Sequence, residues 1–214
     1  MTQVPPAFDE DFRVRLRELF AWRRDVRRFR AEPLPAGALR DLIDAACLAP
    51  SVGLSQPWRF VVVESPDRRA AIVDDFNRCN REALDAYDAD RAALYARLKL
   101  AGLEEAPSHL AIFVDEATPF GHGLGRRSMP EMLRYSVVTA IANLWLAARA
   151  AGIGVGWVSI LDPERVREIL DVPSSWRLVG YLCLGYPETE SATPELETEG
   201  WERRCAGVDL VIVR

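Results

Sequence analysis

The twelve residues GIGVGWVSILDP, Gly152–Pro163, decide the fold class, because they set three alternate glycines between a long apolar helix and a short strand. Upstream, Pro130–Ala151 reads as a helix with Leu133, Val137, Ile141, Leu144 and Ala148 on a core face. It is apolar nearly all round beyond Ser136, so it is expected to be the central helix. Downstream, Trp157–Ile160 reads as a strand, and Asp162-Pro163 opens another helix with an N-cap residue followed by proline at its first position. A dinucleotide fingerprint needs strand, glycines and helix in that order. Here the helix comes first, so Gly152–Gly156 reads as a helix C-cap with close packing, and such a run also lets a flat ring lie against the backbone.

Working outward, Asp9–Trp22 is an amphipathic helix with Leu16, Leu19 and Phe20 in its apolar stripe, ending before Arg23-Arg24-Asp25. The breaker Pro33-Leu34-Pro35 separates it from a second helix, Ala36–Leu48, striped by Leu39, Leu42, Ile43, Ala46 and Cys47. A proline-rich loop from Pro50 to Trp58 feeds a strand at Arg59–Val63. Asp67–Leu103 reads as helical and unusually charged, and His109–Asp115 as a short buried strand. Gly121–Met129 is loop, Leu178–Leu184 a further buried strand, Pro187–Trp201 an acidic loop or arm, and Val208–Val213 an alternating terminal strand. Roughly five strands among helices imply an α+β or α/β chain with one sheet under several helices.

Composition bounds the function. The chain has 214 residues, 49% of them apolar, and 27 Lys+Arg against 32 Asp+Glu give a net charge of −5. A nucleic-acid surface would need a basic stripe, so no nucleic-acid partner is expected. The most apolar stretch, Val137–Ala148, falls far short of about 20 uncharged residues, which argues against a membrane span. The start, MTQVPPAFDEDF, has neither a basic beginning nor an apolar core, so the expectation is a cytoplasmic protein without a secretory signal. Cys47, Cys79, Cys183 and Cys205 form no CxxC pair, which argues against a zinc site, and Cys47 and Cys183 read as small core residues.

Arg23, Arg24, Arg27, Arg28 and Arg30 put five guanidinium groups in eight positions. Either a phosphate is their guest, matched bidentately by planar charges, or they form a solvated face balanced by Asp9, Glu10, Asp11 and Glu18. Asp25 inside the cluster is by itself an ion-pair partner. Ser51, Ser55 and Gln56 form a polar loop that can meet the edge of a heterocycle or serve as turn and capping residues. Ser159 lacks a GxSxG elbow, and His109 and His122 stand in no triad or HExxH context, so serine and metal hydrolysis are disfavoured.

Taken together, RRDVRRF at Arg23–Phe29, APSVGLSQPWRFV at Ala49–Val61, GHGLGRRSMPEM at Gly121–Met132 and GIGVGWVSILDP resemble the nitroreductase-fold flavoproteins. The aspartate in RRDVR, with SQPW, GWVSI and PELETEGWER at Pro194–Arg203, is similar to the BluB family, whose members make 5,6-dimethylbenzimidazole. The resemblance runs from about Phe12 to Arg204. It implies a single α+β domain over the whole chain, a nitroreductase-like three-layer fold with a mainly antiparallel central sheet flanked by helices. It also implies an intertwined homodimer with FMN at the interface, a lid at about 84–103 and a C-terminal arm at about 187–214.

By the same resemblance Arg23, Arg24 and Arg27 hold the FMN phosphate and ribityl end, with Val26 beside them and Arg203 or Arg204 as helpers. Ser51, Ser55 and Gln56 line the flavin, Gly156, Trp157 and Ser159 lie along its ring, and Leu100 touches it from the lid. Asp25 and Ser159 match the family's catalytic pair, one moving protons and the other positioning the ring. The implied reaction consumes reduced FMN and dioxygen and yields 5,6-dimethylbenzimidazole, the lower ligand of vitamin B12, and erythrose 4-phosphate. A separate NAD(P)H flavin reductase is the expected supplier. The lid would exclude water, whereas composition alone reads Leu84–Lys99 as a solvated surface helix. An NAD(P)H-dependent nitroreductase that keeps its FMN, and a protein that merely sequesters FMN, are the alternatives.

Overall fold

A computed structural model describes residues 4–98, 100–205 and 210–214. The elements run α1 (Glu10–Trp22), α2 (Ala38–Cys47), β1 (Trp58–Val62), α3 (Pro66–Asp85), α4 (Ala89–Tyr95), β2 (Ser108–Asp115), α5 (Met132–Ala150), β3 (Gly154–Val158), α6 (Pro163–Leu170), β4 (Trp176–Gly185) and α7 (Glu195–Thr198). The strands form one antiparallel sheet in the order β1-β2-β4-β3.

Three layers follow from the pleat. Alternate residues of β2 point to opposite faces, so Leu110, Ile112 and Val114 join α2 and α5 in one apolar cluster. Ala111 and Phe113 join Ile72 of α3 and Val166 and Leu170 of α6 in the other. With both faces covered, β2 reads as the continuous apolar run HLAIFVD rather than as an alternation. Central α5 buries Leu133, Val137, Ile141, Leu144 and Ala148 and touches all four strands. Asp162 caps α6 by accepting from the backbone N–H groups of Glu164 and Arg165, and Ser65 caps α3 with Pro66 behind it.

The glycine run does two jobs. Gly152 ends α5 at φ +72°, and the N–H of Ile153 donates back to the Ala148 carbonyl at 2.8 Å. The strand then begins at Gly154 rather than at Trp157, because the glycines lie at the sheet edge where another segment approaches. Ser159 consequently stands just past the end of β3.

Other expectations need correction. The charged helix 67–103 is broken at residues 86–88, where Asp88 caps α4 by accepting from the N–H of Arg91, and residues 101–106 are not helical. Cys47 is exposed, since the stripe of α2 turns Leu42 and Ala46 inward. No residue of α1 is fully buried: Phe12, Val14, Phe20 and Trp22 are all exposed. The acidic arm contains the single-turn α7. Of the expected terminal strand Val208–Val213, residues 208 and 209 lie outside the described residues, and Leu210–Val213 are exposed and unpaired. A strand needs a ladder partner, and the described part of one chain offers none there.

Candidate functional site

The arginine-rich segment is held as an extra edge of the sheet. The backbone N–H of Val26 donates to the Val155 carbonyl at 3.0 Å, and Asp25 pairs with Val155 in a parallel bridge. Further on, the N–H of Arg30 donates to the Tyr186 carbonyl, and Phe29 is buried in the core. The approach is close enough that a side chain at Gly156 would stand 2.2 Å from the Val26 carbonyl oxygen.

This geometry fixes Asp25. One carboxylate oxygen accepts from the backbone N–H of Trp157 at 2.8 Å and the other from Arg27 Nε at 2.9 Å. The Arg27 side chain is only 11% exposed and that of Asp25 32%, so the charge-assisted bond is partly shielded from water while the carboxylate stays reachable. Ser159 lies two residues beyond Trp157, about 7 Å of extended chain from the amide that holds Asp25. It is exposed, and its hydroxyl makes no hydrogen bond among the described residues.

The arginines divide into two kinds. Arg28 pairs with Glu195 at 2.6 Å, and Arg27 with Asp25. Arg23 and Arg24 form no ion pair among the described residues. Arg23 stacks over the Trp145 ring at 4.6 Å, and Trp145 Nε1 donates to the Arg24 carbonyl at 3.1 Å. Arg24 donates to the carbonyls of Ala21, Arg23 and Ala192, tying the arm to the segment. Partial burial, then the nearby charges of Arg204 and Arg23, push its pKa below the usual arginine value. Among the described residues none of Asp9, Glu10, Asp11 and Glu18 forms an ion pair with the cluster: Glu10 pairs with Arg13 and Arg17, and Asp9 accepts from the N–H of Phe12. A cavity of about 250 Å³ is lined by Arg24, Asp25, Val26 and Arg27 on one side and Thr193 and Glu195 on the other. Arg204 is thus the terminal arginine felt at Arg24, whereas Arg203 is exposed, its own N–H donating to Glu202.

The second loop is elsewhere. Ser51 Oγ accepts from the N–H of Gln56, and Ser55 is 1% exposed with its hydroxyl lacking any partner among the described residues. Leu54 and Gln56 adopt positive φ, +55° and +42°, a strained backbone that the packing of Gly53 on Gly121 enforces. This loop opens on a separate cavity of about 430 Å³ beside Trp58, Arg59 and Phe120. It precedes β1, whereas Asp25 lies outside β3, at the other edge. Four inter-strand steps, roughly 19 Å, separate those edges. A single chain therefore does not bring Ser51, Ser55 and Gln56 to Asp25.

Nor does it bring Leu100, which lines a third cavity of about 230 Å³ with Phe76, Asn77 and Asn80. In the lid region, Arg91 lies over the Trp201 ring at 4.9 Å, with Tyr87 and Tyr95 against the same ring. Lys99 lies outside the described residues. Sequence reasoning missed Trp145 and Glu195. Trp145 was detectable as an aromatic residue one step off the core stripe of α5, and Glu195 carries no such signal.

The description "Nitroreductase family" matches residues 20–186. The chain belongs to the nitroreductase family. This nitroreductase-family chain is 57% identical over 199 residues to the 5,6-dimethylbenzimidazole synthase of Rhodospirillum rubrum, covering 93% of this chain and 94% of that one. It is 44% identical to the Rhodobacter capsulatus protein of the same name, over 91% and 94%. Among solved structures, iodotyrosine deiodinase bound to FMN and 3-iodo-L-tyrosine superposes with a TM-score of 0.73 at 27% identity, over 93% and 97% of the chains. A BluB-like flavoprotein from Clostridium difficile shares the fold, with a TM-score of 0.69 at 20% identity, over 93% and 98%. Among the described residues no helix is long and apolar enough to cross a membrane.

Proposed function

We propose that the protein is a 5,6-dimethylbenzimidazole synthase that takes reduced FMN and dioxygen as substrates and releases 5,6-dimethylbenzimidazole and erythrose 4-phosphate. The observation that carries this reading is 57% identity, over 93% of the chain, to a protein of that name. The residues present fit FMN. Arg23 and Arg24, in no ion pair among the described residues and with the charge of Arg204 felt at Arg24 more strongly than that of Glu197, suit a phosphate. Gly156 itself is covered by the Val26 carbonyl, so a flat ring would lie against the run just beyond it, where Ser159 is exposed, and Arg27 completes the basic wall of the cavity with Val26 beside it.

When bound, reduced FMN supplies both the electrons that dioxygen takes up and the carbon skeleton of the product. Asp25, held at both oxygens yet reachable, keeps spare lone pairs to take and return a proton beside Trp157. The exposed Ser159 hydroxyl, on the same run of backbone, orients the ring edge. The arm at 187–214 and the lid at 84–103, meeting through Arg91 and Trp201, exclude water, with Leu100 at the lid's end.

We further propose that two chains intertwine as a homodimer, so that Ser51, Ser55 and Gln56 of the partner subunit complete each flavin site. Three features support this: the loop's distance from Asp25, the Ser55 hydroxyl without a partner among the described residues, and the exposed apolar residues of α1 and Leu210–Val213. The helix–glycine–strand order at Gly152–Gly156 favours supply of reduced FMN by a separate NAD(P)H flavin reductase.

The test mixes protein with chemically reduced FMN, admits air, and follows flavin absorbance and benzimidazole by mass spectrometry. Permanent loss of absorbance with product supports the synthase. Intact flavin that turns over with NAD(P)H identifies an ordinary nitroreductase, and tight binding without product a flavin carrier; either overturns the proposal.

A further inference from the structure

Asp75 of α3 is 4% exposed, and burying a carboxylate is costly unless hydrogen bonds and opposite charge compensate. Both are present, and one of them reaches the Ser159 turn. One oxygen accepts from the backbone N–H of Asp162 at 2.9 Å, and the other from Arg78 Nη2 at 2.6 Å. Arg78 also lies 3.6 Å from the Asp162 carboxylate and donates to Glu82, bracing the same corner. Between the last residue of β3, Val158, and this tether are only Ser159, Ile160 and Leu161, and Leu161 is itself buried in the apolar cluster under α3 and α6. The N–H of Trp157, on the other side of Ser159, is held by Asp25. Two carboxylates from distant parts of the chain therefore fasten one backbone run, at positions 157 and 162, with Ser159 between them.

We propose that Asp75 is a positioning residue for Ser159: through the Asp162 amide it holds the 159–162 turn, so that the Ser159 hydroxyl is presented at a fixed place beside Asp25. The consequence for turnover rests on the synthase reading; the tether itself does not. Asp75 touches no reacting atom and acts through the backbone alone. Its removal would leave the Asp162 N–H without an acceptor and free three residues to move, and a displacement near 1 Å at a reacting group costs roughly 100-fold in rate.

The experiment compares Asp75→Ala with Asp75→Asn, whose amide oxygen still accepts from the Asp162 N–H although the charge opposite Arg78 is gone. Hydrogen–deuterium exchange of a peptide spanning 159–162 is the readout independent of activity. Asp75→Ala should accelerate it about tenfold or more while protection within α3 and FMN affinity change less than about twofold, and Asp75→Asn should restore most of the protection. In the oxygen assay, Asp75→Ala should lower the fraction of reduced FMN that becomes benzimidazole about tenfold or more. Adding Asp75→Ala to Ser159→Gly should lower it no further, because both act on the same hydroxyl.

Unchanged exchange at 159–162, exchange that rises equally throughout α3, or effects of the two substitutions that multiply would each overturn the proposal. Should Asp75→Ala fail to fold, Asp75→Ser, too short to reach the Asp162 amide, carries the same expectations. Wild-type protein that makes no benzimidazole refutes the synthase reading, and the exchange result then still decides the tether.

Discussion

Gly156→Ala tests the close approach on which the site depends. The new methyl would stand 2.2 Å from the Val26 carbonyl oxygen, about 1 Å inside an ordinary contact, and the obstacle is backbone rather than a side chain that can turn away. The 25–27 segment must retreat by that distance. Doing so strains the 3.0 Å bond from the Val26 N–H to Val155 and the 2.8 Å bond from the Trp157 N–H to Asp25. Overpacking costs about 1–3 kcal/mol and a weakened hydrogen bond about 1 kcal/mol, so urea unfolding should show a loss of about 2–4 kcal/mol. Because Asp25 moves with the segment, benzimidazole formation should fall roughly 100-fold, more than FMN affinity, which the arginine side chains retain. Gly152→Ala is the control. Its φ is +72° with nothing within 4 Å, so it should cost about 1–2 kcal/mol of backbone strain and leave product yield per folded molecule unchanged. A Gly156→Ala protein with wild-type stability and rate would refute the close-approach argument, and equal losses of yield in both variants would reduce it to backbone strain.

Arg23→Gln should weaken FMN binding about tenfold in fluorescence titration and flatten its salt dependence, while riboflavin, which lacks the phosphate, binds both proteins alike; equal loss for both ligands would contradict the phosphate role. Burial, reinforced by the charge of Arg69, pushes His109 down to about 4. Between pH 6.5 and 4 the unfolded chain therefore takes up a proton that the folded chain refuses. Stability should fall with falling pH by roughly 3 kcal/mol across that window, with no contribution from His109 above it. Denaturant unfolding at pH 7 and 4.5 should show this extra loss in the wild type and not in His109→Gln; identical pH dependence would refute it. Asp25→Asn should abolish benzimidazole, and Ser159→Gly should lower it at least about tenfold to a yield still measurable, while FMN binding stays measurable in both; unchanged yield in both would remove their assigned roles.

Much of the fold is legible because its causes are local. Asp162-Pro163 announces α6, the stripe Leu133–Ala148 announces the central helix, and the apolar run at His109–Asp115 announces a strand covered on both faces. What stays hidden depends on neighbours far along the chain. RRDVRRF carries too much charge to read as a sheet edge, yet Val26 pairs with Val155 because two glycines, Gly154 and Gly156, leave room for it. The stripe of α1 and the alternation at Leu210–Val213 are genuine patterns that find no partner within the described residues of one chain. At the site, the arginine cluster and Asp25 were visible as charge, but a backbone N–H such as that of Trp157 leaves no mark in a sequence. The two edges of the sheet, which separate Ser55 from Asp25, appear only once strand order is known.

On the proposed reading this site dismantles its own flavin. The most direct test is a mass balance with reduced FMN labelled with carbon-13 in the two ring methyl groups, exposed to air with wild-type protein in excess. Doubly labelled 5,6-dimethylbenzimidazole should form in a one-to-one ratio with the FMN lost. Full recovery of the label as intact FMN would contradict that reading.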